Sequence, residues 1–267
     1  MEPMLAHNYT DRGNDIEFPC FLQPKLDGVR ALYHNNKFWS RNGNEFVHLQ
    51  VLKDELSNLS NDIILDGELY SYSMSFQKLV GLVKKKYLTK SDEQDMDNLL
   101  VYVVYDIVSD DDYKDRLKTL TKLFKNKFNK VELLKTEICH SPDDIPLFLA
   151  KYEKEGFEGL IVRNKIGSYI GGRSVNLQKL KSFVDSEFEI IDYTEGTGKD
   201  KGCVIWICKT PNNKEFKVRP SLPNEERKWY FDHGPEFVGK LLTVKYQSLS
   251  TNGIPRFPVG LTIRDYE

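Results

Sequence analysis

The run Lys25-Leu26-Asp27-Gly28-Val29-Arg30 directly follows an apolar, strand-like stretch that includes Phe21 and Leu22. A lysine amine attacks an acyl or phosphoryl centre once its ammonium has lost a proton, which burial or neighbouring cations promote. Asp27 and Arg30 stand within a few residues of Lys25. Gly28 permits a tight turn after the strand, and an arginine grips phosphate bidentately. Alone, the hexapeptide reads equally well as a surface Lys–Asp pair in a hairpin loop.

Four further strings follow in order, each carrying residues that phosphoryl chemistry needs. Ile63-Ile64-Leu65-Asp66-Gly67-Glu68-Leu69 is an apolar strand with two carboxylates around a glycine. Val101-Tyr102-Val103-Val104-Tyr105-Asp106-Ile107 is β-branched and aromatic, which predicts a buried strand. Gly156-Phe157-Glu158-Gly159-Leu160-Ile161-Val162-Arg163 is another strand, with Glu158 at its start. Leu177-Gln178-Lys179-Leu180-Lys181 puts two lysines on one face if extended. Singly, each has a plain structural reading: Asp66 and Glu68 as a solvated strand end, Lys179 and Lys181 as a wet edge, Tyr105 and Ile161 as ordinary core.

Composition sets outer bounds. The chain has 267 residues, 40% hydrophobic and 12% aromatic, enough for a sizeable core in one large domain or two smaller ones. No apolar stretch approaches the roughly 20 residues of a membrane span, and the N-terminus lacks a charged-then-apolar signal pattern. The expectation is an intracellular protein, in a bacterial cytoplasm or in a host cell if viral. Cys20, Cys139, Cys203 and Cys208 lack the paired spacing of a zinc site and read as reduced thiols.

Net charge is −2, so any nucleic-acid face must arise from segregated charge rather than excess. Candidates are Lys84-Lys85-Lys86, the loop from Gly196 to Gly202 with Lys199 and Lys201, and Arg173 with Lys179 and Lys181. Each is otherwise a solvated face.

Residues up to Phe183 alternate short strands with helical stretches. The clearest helix is expected over Asp115 to Lys130, from Leu117, Leu120, Leu123, Phe124 and Phe128 at helical spacing. A second should follow Ser141-Pro142-Asp143-Asp144, where serine caps and proline leads the first turn. Beyond Val184 strands dominate: Glu187 to Tyr193, a hairpin of Cys203 to Lys209 and Glu215 to Val218 around Pro211-Asn212-Asn213, and Lys240 to Tyr246. Many short strands suit a five-stranded OB barrel, with one helix interrupting it at Pro223 to Phe231.

Taken together and in this order, the strings resemble the covalent nucleotidyltransferases, and among them the ATP-dependent DNA ligases, especially the small viral and bacterial ones. The resemblance runs from Pro3-Met4-Leu5-Ala6 through KLDGVR, SRNG (Ser40 to Gly43), LDGEL, VVYDIV, FEGLIVR and LQKLK to Pro255-Arg256-Phe257-Pro258-Val259. It implies an α+β fold: a nucleotidyltransferase (adenylation) domain of mixed and antiparallel sheets with helices over residues 1–183, then a small β-barrel OB domain over 184–267.

By the same resemblance, Lys25 takes AMP from ATP as a phosphoramidate, passes it to a DNA 5′-phosphate, and a 3′-hydroxyl then displaces it to seal a nick in duplex DNA. Asp27 and Glu158 would hold Mg2+ or Mn2+. Lys179 and Lys181 would contact the α-phosphate and help lower the pKa of Lys25. Glu68 would bond the ribose hydroxyls, Tyr105 stack on adenine with Ile161 on its other face, and Gln23 read the adenine edge. Arg30, Arg41 and Arg173 resemble the arginines that grip nick phosphates, Arg30 also facing the nucleotide.

In the OB domain, Arg256, Arg264 and Asp265 are the candidates for orienting the pyrophosphate leaving group, although the ending at Glu267 departs from the Arg-x-Asp-Lys of many relatives. The span from Arg219 to Val238 reads as a proline-bounded helix rather than a long hairpin latch. With no room for a further domain before Met4, the expectation is a minimal, monomeric ligase. Rival readings are an mRNA-capping guanylyltransferase, an RNA ligase, and a non-catalytic OB-type nucleic-acid binding protein. The last is disfavoured by the intact Lys25, Glu158, Lys179 and Lys181.

Overall fold

Val101–Ile107 is a strand buried along most of its length, as its β-branched and aromatic content predicts. It lies fifth in a six-stranded sheet ordered Glu45–Phe46, Lys37–Ser40, Val29–His34, Leu65–Tyr70, Val101–Ile107, Val131–Leu133. Neighbours pair antiparallel except the last two, which are parallel. Leu52, Leu56, Leu79, Leu82, Met96 and Leu120 join Leu65, Leu69, Tyr102 and Val104 in one core. These coordinates are a computed structural model that describes residues 2–125 and 128–264. They form two compact units, Met1–Lys181 and Ser182–Glu267.

The first unit holds a second sheet of five strands, ordered Met4–Asn8, Gly172–Leu180, Gly159–Arg163, Cys20–Lys25, Glu137–Cys139. Cys20–Lys25 belongs to this sheet and Val29–His34 to the other, so the hexapeptide that begins at Lys25 is the crossover between them. Gly28 serves this crossover through close approach rather than through a turn that needs positive φ. A Cβ there would sit 2.5 Å from the Leu69 carbonyl oxygen and 2.6 Å from Glu68 Cγ. Gly67 is constrained in the same way, 2.6 Å from the Val103 carbonyl oxygen. Both glycines let backbone pack where any larger residue would push the strands apart.

One sequence expectation needs correction here. The helix expected over Asp115 to Lys130 is Tyr113–Leu123. Lys130 instead lies in the bend before a strand: its carbonyl accepts from Tyr102 N–H at 2.8 Å, leading Val131–Leu133 into the sheet, and Glu55 accepts from its own N–H. Phe128 still packs against the core, so its apolar signal reported burial and not helical phase. Of the readings the sequence left open for Asp66, the solvated strand end does not hold, because Asp66 is fully buried. The other expected helix is present. The Ser141 hydroxyl accepts from Asp143 N–H at 3.2 Å, a 3-10 turn spans Pro142–Asp144, and an α-helix spans Ile145–Lys154.

The second unit is a closed five-stranded barrel, ordered Val184–Glu195, Val204–Lys209, Glu215–Pro220, Val259–Arg264, Leu241–Tyr246. Alternation puts Val204, Trp206 and Cys208 inward on one strand and Phe216, Val218 and Pro220 on the next. Between Pro220 and Leu241 lie the helix Asn224–Asp232 and a 3-10 turn at Gly234–Phe237, with no strand among the described residues. The loop proposed as basic around Lys199 and Lys201 also carries Asp200, whose carboxylate bonds Arg219 and the buried Arg227. Its charge is therefore mixed. Asp265 lies outside the described residues.

Trp206 centres the barrel core and is 1% exposed. Truncation to alanine removes its transfer free energy and leaves a cavity. Trp206→Ala should cost about 3–5 kcal/mol in denaturant unfolding, whereas Leu147→Ala, at a side chain 69% exposed, should stay within about 0.5 kcal/mol of wild type.

Candidate active site

Strand pairing places the candidate residues on each other before any side chain is considered. Gly159 lies opposite Lys25, Ile161 opposite Gln23, and Ile161 also opposite Lys179 on the far side. Glu158 N–H donates to the Lys25 carbonyl at 2.9 Å, so the carboxylate-bearing residue begins its strand where the lysine strand ends. Both ammonium groups, Lys25 Nζ and Lys181 Nζ, then donate to Glu158, one to each carboxylate oxygen.

The charges around Glu158 are unequal. Burial works to raise its carboxyl, but Lys25 and Lys181 hold it below its ordinary value. Burial pushes the Lys179 ammonium down, helped by Lys25, Arg173 and Arg41 and opposed by Glu158. Lys181 is pushed down as well, by burial and by Lys25 and Lys179, although Glu158 accepts its hydrogen bond. Cations this crowded favour negative charge in their midst.

A cavity of about 1110 Å³ opens beside this cluster, and both sheets contribute to its walls. Gln23, Lys25, Ile161 and Lys179 come from one sheet, and Arg30, Glu68 and Tyr105 from the other. Tyr105 donates through its hydroxyl to Glu68 at 3.3 Å, and the guanidinium groups of Arg30 and Arg163 each lie 5.8 Å from its ring centre. Gln23 is buried, donating from Nε2 to the Tyr113 and Thr136 hydroxyls at 2.9 Å each. Arg41 lies exposed on the turn Ser40–Gly43 at the cavity's edge, a turn closed by Gly43 N–H to the Ser40 carbonyl at 2.9 Å. Lys84, Lys85 and Lys86 line the same cavity, Lys85 also bonding Asp92.

Other candidates sit differently. Arg30 turns its fork into the protein, donating to both oxygens of Asp66 and to the Met4 carbonyl. Arg173 is exposed and donates to the Ala6 carbonyl at 2.7 Å. Asp27 is partly buried, close enough to Tyr70 to raise its phenol together with burial. In the barrel unit, Arg256 lies 5.6 Å from the Phe257 ring, and Arg264 donates from Nε to Glu187 and Thr243 at 3.0 Å.

Sequence reasoning missed the charged floor beneath this cavity. Asp106 is fully buried and accepts from Arg116 Nε at 2.8 Å and Arg163 Nη1 at 2.5 Å. Asp66 accepts from Arg30 and from the Tyr169 hydroxyl at 2.7 Å. A signal was available, since Asp66 and Asp106 each interrupt a run of apolar strand residues and Arg163 closes another. A charge that cannot reach water requires a partner.

The cavity wall thus joins an aromatic ring at Tyr105, a carboxyl at Glu68 and the ammonium groups of Lys25 and Lys179. The model of the ATP dependent DNA ligase domain matches residues 3–181, and that of the DNA ligase OB-like domain matches residues 195–264. The chain belongs to the ATP-dependent DNA ligase family.

A DNA ligase of African swine fever virus is 34% identical over 262 residues, covering 88% of this chain. The chain spans 61% of the length of that relative. A DNA ligase of Haemophilus influenzae is 26% identical over 95% of this chain and 89% of its own. A solved Lig E DNA ligase superposes with a TM-score of 0.85 at 26% identity, covering 99% of each chain.

Burial, opposed by Lys25 and Arg30, raises the Glu68 carboxyl from 4.5 to about 7. The neutral form is therefore favoured in the folded protein. Its contribution to stability is present below pH 4.5 and is lost as pH rises through about 7. Denaturant unfolding of wild type and Glu68→Gln should show wild type losing stability relative to the variant across that window; parallel pH profiles would contradict the assignment.

Proposed function

We propose that this chain is an ATP-dependent DNA ligase that seals nicks in duplex DNA, acting as a monomer. The observation that carries the reading is Glu158 bridging Lys181 to Lys25, a lysine that lines the cavity. Family membership and the full-length likeness to a Lig E DNA ligase support it.

In the first transfer, Lys25 Nζ, having given up a proton, attacks the α-phosphorus of ATP. A P–N bond forms, and pyrophosphate leaves with the electrons of the broken P–O bond. Lys179 and Lys181 take the α-phosphate oxygens as charge builds there. Tyr105 and Ile161 hold the adenine between them, Gln23 meets its edge, and Glu68 receives the ribose hydroxyls.

In the second transfer, an oxygen of the DNA 5′-phosphate attacks the same phosphorus and Lys25 departs. In the third, the 3′-hydroxyl attacks the 5′-phosphate and AMP leaves. Arg41 and Arg173, both exposed, would meet the nick phosphates. Arg30 acts from within the wall, because Asp66 already occupies its fork. Arg256 and Arg264 are the barrel residues proposed for the pyrophosphate step.

Among the described residues, no group of three His, Cys, Asp or Glu side chains encloses a metal ion. Glu158 and Asp27 nonetheless fit Mg2+ or Mn2+, hard cations held by one or two carboxylates with phosphate and water completing the shell. Such an ion supplies charge neutralisation at the transferring phosphate.

Incubation with magnesium and α-labelled ATP should leave label on denatured wild-type protein and transfer it to nicked DNA. Lys25→Ala should reduce label to background and nick sealing by on the order of 10⁴-fold or more. Label from GTP alone would assign the chain to RNA capping, and no label from a folded protein would end the enzymatic reading.

A further inference from the structure

Cys20 and Cys139 stand directly opposite one another where Cys20–Lys25 pairs antiparallel with Glu137–Cys139. Directly opposed residues share a face, with Cα atoms about 4.5 or 5.5 Å apart according to the hydrogen-bond pattern. Both separations fall within the about 4.4–6.8 Å that a disulfide spans. The two thiols are buried and free. Burial first, and then the Cys139 thiol beside it, push the Cys20 thiol up to about 12. The Cys139 thiol donates to the Ser141 carbonyl at 3.1 Å. The other two cysteines have no such partner across a ladder: Cys208 faces Phe216, and Cys203 lies just before its strand, its thiol 3.7 Å from the Asn224 carbonyl.

We propose that Cys20 and Cys139 form a modification site, an internal cross-strand disulfide that closes when the folded protein meets a low-molecular-weight disulfide such as glutathione disulfide. Cys139 is the point of entry. Its strand is three residues long and lies at the edge of the sheet, with the adjoining Ile138 half exposed. Such an edge opens at lower cost than the strands within the sheet. The exposed Cys139 thiolate attacks glutathione disulfide, breaking its S–S bond and releasing one glutathione thiolate. On reclosure Cys20 gives up its proton and attacks the Cys139 sulfur, expelling the second glutathione thiolate. The two cysteine thiols lose their protons and two electrons, and glutathione disulfide becomes two molecules of glutathione.

Closure staples the edge strand to the strand that ends in Lys25. Thr136, which accepts the hydrogen bond from Gln23, immediately precedes that edge strand, so the staple also restrains the cavity wall at Gln23. The loop it closes exceeds a hundred residues, and a cross-link of that reach restricts the unfolded chain strongly. The inference is independent of the nucleotide chemistry proposed above.

The test treats the native full chain with glutathione disulfide, blocks remaining thiols by alkylation under denaturing conditions, and maps peptides by mass. Two of the four thiols should be lost, with a chain lighter by two hydrogens and a linked peptide joining Cys20 to Cys139. The unfolding temperature should rise by several degrees, and dithiothreitol should reverse both changes. Cys139→Ser should abolish the link, with Cys203 and Cys208 alkylated as before. A glutathione adduct that never closes, a link to Cys203 or Cys208, or a link that forms only in denaturant would overturn the proposal.

Discussion

Positive charge crowded onto one carboxylate is the constraint around which the first unit is organised. Lys25 and Lys181 share Glu158, while Lys179 lies within the influence of Lys25, Arg173 and Arg41. Such crowding is unfavourable without an anion, and burial amplifies it because water screens less there. The strands hold these residues together by register: Lys25 opposite Gly159, and Lys179 opposite Ile161 on the next strand. Stability available elsewhere in the fold offsets the cost of gathering these cations at one place.

That stability rests partly on a second set of charges of opposite character. Asp66 and Asp106 are acids sealed from solvent, each matched by arginine. Removing one partner of such a buried pair costs far more than the pair contributes in net terms. Arg30 and Arg163 also lie near the ring of Tyr105, so the network that neutralises the acids also backs the aromatic wall of the cavity. The Lys25–Arg30 crossover ties the two sheets here, and only glycine at position 28 leaves room for the Leu69 carbonyl.

The barrel unit follows simpler physics. Alternating strands bury Trp206, Phe216, Val218 and Val244 within a closed ring, and on the strand Glu215–Pro220 the polar alternates Glu215, Lys217 and Arg219 remain outward. Several of its charged groups are matched locally, Asp200 with Arg219 and Arg227, and Arg264 with Glu187. This local matching explains why an even balance of acidic and basic residues was uninformative about a binding face.

Much of this was legible in the sequence. Period-two alternation marked the barrel strands and the Ser141-Pro142 pair marked a helix start, because such local patterns are properties of neighbouring residues, whereas Lys25, Glu158, Lys179 and Lys181 became candidates only through resemblance. What the sequence could not express was distance between strands. Asp66 read as a wet strand end until Arg30 and Tyr169 were folded over it, and Arg163 carried no role until Asp106 and the tyrosine rings surrounded it. The helix after Asp115 stopped early because Lys130 was needed beside Tyr102. Cys20 and Cys139, far apart in the chain, became neighbours only through ladder register. Periodicity and chemistry are local and survive in a linear string, whereas burial, ion pairing and cross-strand register are long-range and arise only when the chain closes on itself.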